Sequence, residues 1–555
     1  MCNKEQQVFF LVKVCFQKHR LLLFLALMVA FTACKEPEIP TVVVIKNDET
    51  YAPEKVKALL DLWQKRTFNF FHVGASSTGM SLEGSERGDV ITIGGTGFGL
   101  KALIVGAERT WITRAQAAEQ TVRIVRFLGK AERFKGVWSH WYNPNGTAHP
   151  FGDQVKTGDV VETGFLMAGL LTASEYFAQN QAIEKEIRDS VSSFFNTINW
   201  RFYASSGEYL HWLWYSQENR FSLPIRGWNE SLISYILALA APEPHNISAE
   251  LYHKGWLNNG LWVYPNRKFY DYKLPLGEEY GGPLFFAHYS FLGLNPKLMH
   301  DQYADYWQQN VAHTLINRHY CVYEAPKNFK YNEHNWGLTA SYGGRPPWNY
   351  MARHPRNDDG VLAPTAALGS FPYTPFYSTQ MLMQLADNAL VHGIYGFADA
   401  YSPETMTSEK RHLAIDQGPI VIMIENYRSG LIWNLMMRNA HIVEGLNKAG
   451  ISTTPKANEG FNRAIVNTHT KEFDLMRHPD RGLFELDYYL LKTGNVRFVM
   501  RNAANAVVLD STLLAQAGQN QLRFSNDSKR LNAKAYQLTL TTSDQKEYPL
   551  RIRLR

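Results

Sequence analysis

Hydrophobic residues recur at helical spacing in six stretches of the chain, and long loops rich in glycine and aromatic residues separate these stretches. Within each stretch most apolar side chains stand three, four or five positions apart, which places them on one face of an α-helix. Loops of such length are uncommon in a compact domain unless they carry function. The pattern favours helical hairpins arranged in a ring with their loops at one end, an α/α toroid. The predicted helices are Glu54–Val73, Ala115–Phe134, Asp159–Phe177, Asn229–Ala241, Tyr303–Arg318 and Thr379–Val391.

After about residue 458 the pattern changes to short segments rich in β-forming residues, with turn residues between them. The segment Ala535–Thr541 shows a clear alternation of side chains, which is typical of a strand with one buried face. We therefore predict a mainly α domain over residues 52–457, followed by a small C-terminal antiparallel β-sandwich over residues 458–555.

The N-terminus has the pattern of a bacterial lipoprotein signal. Basic residues at Lys18–Arg20 precede the apolar run Leu21–Phe31, which is too short to span a bilayer as a stable helix, and small residues then lead to Cys34. By this resemblance residues 1–33 are removed, Cys34 is lipidated, and residues 34–51 form a tether. The acidic stretch after Cys34 resembles the export signal of Bacteroidetes surface lipoproteins. We expect anchoring to the outer membrane, on its periplasmic or its surface-exposed face; an ordinary secretory peptide is the alternative.

Charge and cysteine content exclude several classes of protein. The formal net charge is +6, of which the leader before Cys34 contributes +3, so the mature chain carries +3. So small a balance gives no reason to expect nucleic-acid binding. Only Cys34 and Cys321 follow the predicted cleavage site, and the chain therefore offers no disulfide framework.

Nucleotide, metal and serine-hydrolase motifs are not found. The segment Gly94–Gly99 has the wrong spacing for a dinucleotide fingerprint, and no Lys-Ser or Lys-Thr follows it as in a P-loop. The 18 histidines are scattered without a His-Glu-x-x-His pattern, and the sequence has no Gly-x-Ser-x-Gly. We expect neither a metal nor another cofactor.

Two acids stand at the start of a predicted helix. Thr157 or Asp159 is expected to cap this helix, because a short oxygen side chain accepts hydrogen bonds from the free N–H groups of the first turn. Asp159 and Glu162 are three residues apart and should point the same way. The alternative is that both acids merely complement the positive end of the helix dipole.

Further carboxyl groups stand among aromatic residues. Glu230 follows Trp228 and precedes an apolar helix, and desolvation beside the indole would raise its pKa toward that of a general acid. The alternative is a helix-capping Asn229 with a Glu that complements the helix dipole. Asp416 and Glu425 flank another apolar run, which indicates either a lined site or a buried ion pair.

Glycoside hydrolysis requires such acids, because one carboxyl protonates the leaving oxygen while an ionised one acts as base or nucleophile. Several long motifs of this chain resemble the glycoamylase-like proteins, now glycoside hydrolase family 144, the bacterial β-1,2-glucanases. The resemblance runs in order over about residues 52–440. The motifs that carry it are residues 86–99, 156–163, 228–230, 281–289, 336–341 and 415–419.

The resemblance implies an (α/α)6 toroid and inverting hydrolysis of β-1,2-glucan or its oligosaccharides. Its catalytic acids fall on Asp159, Glu162 and Glu230, with Asp416 as a further candidate. We predict that Glu230 donates the proton, that Asp416 or Asp159 activates water, and that Glu162 positions substrate or holds the hydrogen-bond network. We expect a monomer whose partners are a β-glucan and, through Cys34, a membrane. The residues predicted to bind substrate are Trp228, Glu279, His288, Tyr289, Asp89, Gln417 and Tyr427.

Two other functions stay open. A non-catalytic glycan-binding surface lipoprotein would also suit the aromatic loops, although capture alone needs few acids. A toroidal polysaccharide lyase would need basic residues to neutralise the carboxylate of its substrate, and the mature charge of +3 makes it less attractive.

Overall fold

The protein is described from a computed structural model. The described residues are 53–86, 88–152, 156–270, 272–454, 466–467, 472–475, 477–478, 483–490, 492–516, 518–524 and 535–554. The predicted signal peptide, the tether with Cys34, and the predicted domain boundary at residues 457–458 lie outside them. Among the described helices, none combines the length and the apolar character that crossing a bilayer requires.

Residues 53–454 form a helix-rich domain, in which each of the six predicted helices is present. The periodic pattern did not predict five helices of nine or more residues, namely Ile93–Glu108, Ala182–Thr197, Ala249–Leu257, Ala414–Arg428 and Ala440–Lys448. Its helices are α1 Pro53–His72, α2 Ile93–Glu108, α3 Arg114–Lys130, α4 Val160–Tyr176, α5 Ala182–Thr197, α6 Trp200–Tyr203, α7 Leu232–Ala240, α8 Ala249–Leu257, α9 Tyr306–His319, α10 Pro364–Leu368, α11 Pro375–Asp387, α12 Ala414–Arg428, α13 Leu431–Met436 and α14 Ala440–Lys448.

Short antiparallel strand pairs stiffen the long loops between these helices. The strands are β1 Ile91–Thr92, β2 Arg133–Phe134, β3 Val137–Trp138, β4 Trp141–Tyr142, β5 Ala148–His149, β6 Thr157–Asp159, β7 Leu213–Tyr215, β8 Arg220–Phe221, β9 Lys268–Phe269, β10 Tyr272–Lys273, β11 Ala340–Ser341, β12 Met351–Ala352, β13 His392–Gly393, β14 Gly396–Phe397, β15 Ala400–Ser402 and β16 Thr407–Glu409. The pairing of β6 with β7 fixes the loop that delivers the first predicted acid, Asp159, to the start of α4.

The glycine-rich start of α2 serves helix packing. Helix α2 packs against α1, α4 and α12, and most of its residues are buried. A Cβ atom added at Gly97 would lie 2.2 Å from the carbonyl oxygen of Phe165, and one at Gly169 would lie 2.2 Å from the carbonyl oxygen of Gly97. The backbones of α2 and α4 therefore touch, and the glycines that invite comparison with a nucleotide loop permit this contact.

Replacing Gly97 by Ala should lower the free energy of unfolding by about 2–3 kcal/mol, because the new methyl group must push two helix backbones apart. Denaturant unfolding followed by circular dichroism measures this change. The matched control is Gly129→Ala in α3, where the nearest atom outside the helix backbone would lie at 3.9 Å. That substitution should be neutral or stabilising by up to about 1 kcal/mol, since glycine is a poor helix former. Equal effects at both positions would contradict the packing role.

The C-terminal part is a β-domain with two sheets. The first sheet has the order β17-β18-β25-β24-β21-β22 and the second the order β19-β20-β23. Residues from both sheets share one hydrophobic cluster, in which the rings of Tyr488 and Phe498 lie 5.1 Å apart. The strands pair antiparallel except for β18 and β25, which are parallel and depart from the predicted pattern. These strands are β17 Val466–Asn467, β18 Glu472–Leu475, β19 Arg477–His478, β20 Leu483–Leu490, β21 Gly494–Arg501, β22 Val507–Ala515, β23 Gly518–Phe524, β24 Ala535–Thr541 and β25 Glu547–Leu554.

Candidate active site

Asp159 caps helix α4, which confirms one of the two predicted caps. Its Oδ1 atom accepts hydrogen bonds from the backbone N–H groups of Val161 and Glu162, both at 2.9 Å. His140 Nδ1 lies 2.7 Å from Oδ2, and Trp212 Nε1 lies 3.1 Å from both oxygens. The side chain is completely buried. Four donors match the roughly four acceptor sites of a carboxylate, so Asp159 is well placed to hold the site together and poorly placed to take a proton from water.

Glu162 lies close to His140, and the two shift each other's ionisation. Its Oε2 atom accepts a hydrogen bond of 2.7 Å from the backbone N–H of Gly94. Burial raises the pKa of Glu162 to about 7; the charge of Asp159 adds to this effect and that of His140 opposes it. Burial alone would lower the pKa of His140, but Glu162 and Asp159 outweigh it and raise that pKa to about 9. At neutral pH the site therefore contains an imidazolium group between two carboxyl groups.

Glu230 is partly exposed and lines a cavity of about 600 Å³. Its neighbour Trp228 lines the same cavity, as expected for a carboxyl beside an indole. Burial raises the pKa of Glu230 to about 7, and the charge of Asp159 adds to the shift. A carboxyl with this pKa retains a proton near neutral pH, which a general acid requires. The aromatic residues of the lining are Trp212, Trp228, Trp262, Tyr264, Phe285 and Phe286.

Asp416 lies in the first turn of α12, beside a second carboxyl, that of Asp399. Both side chains are almost completely buried, with exposed fractions of 2% and 1%. Burial and the neighbouring Asp399 raise the pKa of Asp416 well above its usual range, and burial raises that of Asp399 to about 6. The pair therefore retains a proton at a pH where isolated aspartates are ionised.

Tyr289 lies close to three of the predicted acids, Asp416, Glu230 and Glu162. After burial, the main causes of the raised pKa of its phenol include the charges of Asp416, Glu230 and Glu162. Its ring lies 5.3 Å from that of Phe98 in α2, so the hydroxyl is held by packing against the helical core. The structure thus brings three of the four predicted catalytic acids around one tyrosine, while the fourth, Asp159, bonds to the adjacent His140.

Four titratable residues beside the predicted acids escaped prediction, as did the cavity-lining residues Trp212, Trp262, Tyr264 and Glu278. Glu83 accepts a hydrogen bond of 3.0 Å from Trp141 Nε1, and its charge contributes to the raised pKa of Asp416, Glu162 and His140. Asp399 stands alone in an apolar run, which is a sequence signal that could have revealed it. His140 lies in an aromatic loop that resembles many others in this chain. The four titratable residues are Glu83, His140, Asp399 and Tyr350. Burial raises the pKa of the Tyr350 phenol, and the charges of Asp416, Asp399, Glu83 and Glu230 add to this effect.

Some predicted ligand-binding residues occupy different surroundings. Glu279 is exposed and forms an ion pair of 3.2 Å with Arg356, whereas its neighbour Glu278 lines the cavity. His288 is buried, and its Nε2 atom lies 2.9 Å from the hydroxyl of Ser370. Burial lowers the pKa of His288 to about 3, so it is neutral and held in the protein interior.

Of the other residues predicted to bind substrate, Gln417 and Tyr427 lie at opposite ends of α12, and Asp89 lies on an exposed turn. Gln417 is buried beside Asp416 and donates to the carbonyl oxygen of Phe397 at 3.4 Å. Tyr427 is eleven residues further along the helix, which corresponds to about 16 Å from Asp416. At that end Glu425 forms an ion pair of 2.7 Å with Arg109, the structural alternative for this acid. Asp89 lies on an exposed turn.

Acid–base chemistry is what this arrangement can perform. Glu162 and Glu230 are carboxyls with pKa values raised to about 7, and the pair Asp399–Asp416 lies nearby in the same cluster of charges. Within the described part of the chain, no group of three or more His, Cys, Asp or Glu has an arrangement suited to a metal ion.

Comparison with known proteins identifies the family. The family model "Glycoamylase: Putative glucoamylase" matches residues 222–440. A relative from Parabacteroides distasonis, named exo beta-1,2-glucooligosaccharide sophorohydrolase (non-reducing end), is 36% identical over 427 residues. The match covers 72% of this chain and 58% of that relative, so the chain spans less than two thirds of the relative's length.

Two solved structures support this assignment, and the matches cover nearly all of one structure and 60% of the other. The endo-beta-1,2-glucanase from Chitinophaga pinensis, solved with sophorotriose and glucose, is 41% identical with a TM-score of 0.68, and the match covers 72% of this chain and 98% of that chain. The beta-1,2-glucanase from Parabacteroides distasonis is 36% identical with a TM-score of 0.67, over 71% of this chain and 60% of that chain. The chain therefore belongs to the glycoamylase-like family, glycoside hydrolase family 144.

Proposed function

We propose that this protein hydrolyses β-1,2-glucan or β-1,2-glucooligosaccharides with inversion at the anomeric carbon. The observation that carries the proposal is Glu230, whose pKa is raised to about 7 and which lines an aromatic cavity of about 600 Å³. The names of the relatives from Chitinophaga pinensis and Parabacteroides distasonis, which describe β-1,2-glucan chemistry, support the choice of substrate.

In the proposed reaction Glu230 protonates the glycosidic oxygen while a water molecule attacks the anomeric carbon. The leaving sugar keeps the proton of Glu230, and a carboxylate takes the proton of the water. We assign this second role to Asp416 rather than Asp159, because four donors already occupy the carboxylate of Asp159. Glu162 and His140 are proposed to position substrate hydroxyl groups at the floor of the site.

Aromatic rings on the cavity wall are proposed to hold the sugar rings. Trp262 and Tyr264 line the cavity together with Glu230, and Tyr264 is partly exposed at 43%. Flat apolar faces with polar edges suit sugar rings, which present C–H groups on one side and hydroxyls around the rim.

Product analysis tests the function. Incubation with linear β-1,2-glucan should release sophorose or longer β-1,2-oligosaccharides whose new reducing ends are first in the α configuration, as polarimetry or proton NMR would detect. Cellulose-type β-1,4-glucan and laminarin-type β-1,3-glucan serve as matched controls and should yield no product. Binding to β-1,2-glucan without turnover would instead favour a glycan-capture protein. Products that absorb in the near ultraviolet would reveal a lyase.

We further propose the finer features of architecture and location. The helices of residues 52–457 are proposed to form an (α/α)6 toroid, for which the packing of α2 against α1, α4 and α12 gives support. Lipidation of Cys34 and anchoring of a monomer to the outer membrane are proposed from the leader sequence. Mass spectrometry of the N-terminal peptide from membranes tests the lipid, and Cys34→Ser should release the protein from the membrane fraction.

A further inference from the structure

Asp399 and Asp416 form a pair of buried carboxyls that the proposed mechanism uses only in part. Asp399 lies between β14 and β15, and Asp416 lies in the first turn of α12. Asp399 Oδ2 accepts a hydrogen bond of 2.7 Å from the backbone N–H of Tyr342, which fixes the orientation of this carboxyl. Thr365 donates to the backbone carbonyl of Asp416 at 2.8 Å and fixes the helix start. The carboxyl of Asp399 and the backbone that carries Asp416 are therefore fixed in place.

The remaining oxygens of the pair indicate a shared proton. Asp399 Oδ1 and Asp416 Oδ2 are each buried, and neither finds a conventional donor within the described residues. The two carboxyls are neighbours, and a hydrogen bond between them would satisfy both oxygens. Such a bond requires a proton on one of the acids, because an ionised carboxylate only accepts. One proton between two carboxyls accounts for both oxygens.

The charged surroundings keep this proton in place. Glu83 adds a negative charge beside Asp416, and Glu409 adds one beside Asp399. Arg411 is the nearest compensating charge, but it pairs with Glu409 at 3.2 Å and lies over the ring of Tyr342 at 3.8 Å. The phenols that face the pair are those of Tyr289 and Tyr350. Because two adjacent buried carboxyls cannot both be ionised, the pair keeps its last proton.

We propose that Asp399 is a positioning residue that holds Asp416 and shares a single proton with it, so that the base of the reaction is the singly protonated pair rather than Asp416 alone. This inference rests on the proposed hydrolytic function. In the catalytic step the water O–H bond breaks and its oxygen bonds to the anomeric carbon. The pair gains the water proton and becomes doubly protonated, while the glycosidic C–O bond breaks and its oxygen takes the proton of Glu230.

The pH profile of kcat/KM on β-1,2-glucan tests the pair. In Asp399→Ala the donor that stabilises the ionised carboxyl of Asp416 is lost, so Asp416 should take up its proton at higher pH. We expect the acidic limb of the profile to move up by one pH unit or more, with activity reduced but measurable. Asp399→Asn, whose amide can still donate, should move the limb less. The control is Asp301→Asn, a partly buried acid that also accepts hydrogen bonds from backbone N–H groups but lies in another loop. Its profile should keep the wild-type midpoint. An acidic limb that stays in place or moves down in Asp399→Ala would overturn the proposal.

A second measurement does not depend on activity. Burial raises the pKa of both acids in the folded state above the unfolded value near 3.9, so the native protein loses stability as pH rises above that value. Asp399→Asn should lack this loss, and its Tm relative to wild type should increase between pH 4 and pH 8. Asp416→Asn should show the same trend if Asp399→Asn does not fold. If the Tm difference between Asp399→Asn and wild type does not change with pH, the shared-proton pair is overturned even if the wild type hydrolyses the glucan. If the difference rises with pH but the wild type does not hydrolyse the glucan, only the proposed function is overturned.

Discussion

Glu230→Gln is expected to lower kcat/KM on β-1,2-glucan by about 10³-fold or more, because glutamine cannot protonate the leaving oxygen. A 10³-fold loss corresponds to about 4 kcal/mol of lost transition-state stabilisation. The substitution is isosteric and removes a carboxyl whose charged form burial disfavours, so the Tm should stay the same or rise slightly. Initial rates of reducing-end release, together with thermal unfolding, measure both effects.

Two comparisons sharpen this experiment. Glu250→Gln, at an exposed glutamate in the first turn of α8, is the matched control and should retain wild-type activity. A β-1,2-oligosaccharide with a nitrophenyl leaving group needs little protonation, and Glu230→Gln should regain much of its rate on this substrate. Full activity of Glu230→Gln on the natural polymer would remove Glu230 from the role of proton donor.

Asp159→Ala is expected to lower the free energy of unfolding by about 4 kcal/mol. Loss of the helix cap accounts for about 1 kcal/mol. Loss of the acceptor for the partly buried donors of His140 and Trp212 adds about 1–3 kcal/mol for each group left unpaired. Denaturant unfolding measures the change. Activity should fall as well, because His140 and the start of α4 lose their common anchor.

The matched variant Asp159→Asn separates anchoring from charge. Asparagine keeps an oxygen for the N–H groups of Val161 and Glu162, so it should destabilise the protein less than alanine does. Burial lowers the pKa of His140, but the charge of Glu162 and the ion pair with Asp159 outweigh it and raise this pKa to about 9. The stabilisation from the ion pair is therefore fully present below the unfolded pKa near 6.5 and is lost as pH rises through about 9. The Tm deficit of Asp159→Asn should therefore shrink between about pH 7 and pH 10. A deficit independent of pH would contradict the ion pair.

Local patterns in the sequence predicted the elements whose stabilising contacts are also local. The cap of Asp159 on α4 depends on backbone N–H groups two and three residues away, and the strand Ala535–Thr541 depends on alternation within seven residues. Helix α2 was not predicted from its local pattern, because buried residues cover nearly its whole surface and leave no polar face to produce a periodicity. Its glycines make sense only once α4 packs against them.

The roles of the acids required the tertiary structure. Asp416 and Glu425 look alike in sequence, one at each end of an apolar run. Asp416 lies beside Asp399 and retains a proton, whereas Glu425 forms an ion pair with the partly exposed Arg109. Glu279 and Glu278 are adjacent, yet only Glu278 lines the cavity while Glu279 pairs with Arg356.

By itself, then, the sequence determined the helical and strand-rich parts, the cap at Asp159 and, through the resemblance, the family. Only the tertiary structure decided which carboxyls share surroundings, because the site collects residues from position 83 to position 416. Burial and neighbouring charges set the pKa of each acid, and both depend on segments far apart in the chain. The physical reason is the sequence separation over which each effect acts. Capping and periodicity depend on residues a few positions apart, whereas desolvation and charge coupling depend on residues that only the folded interior brings together.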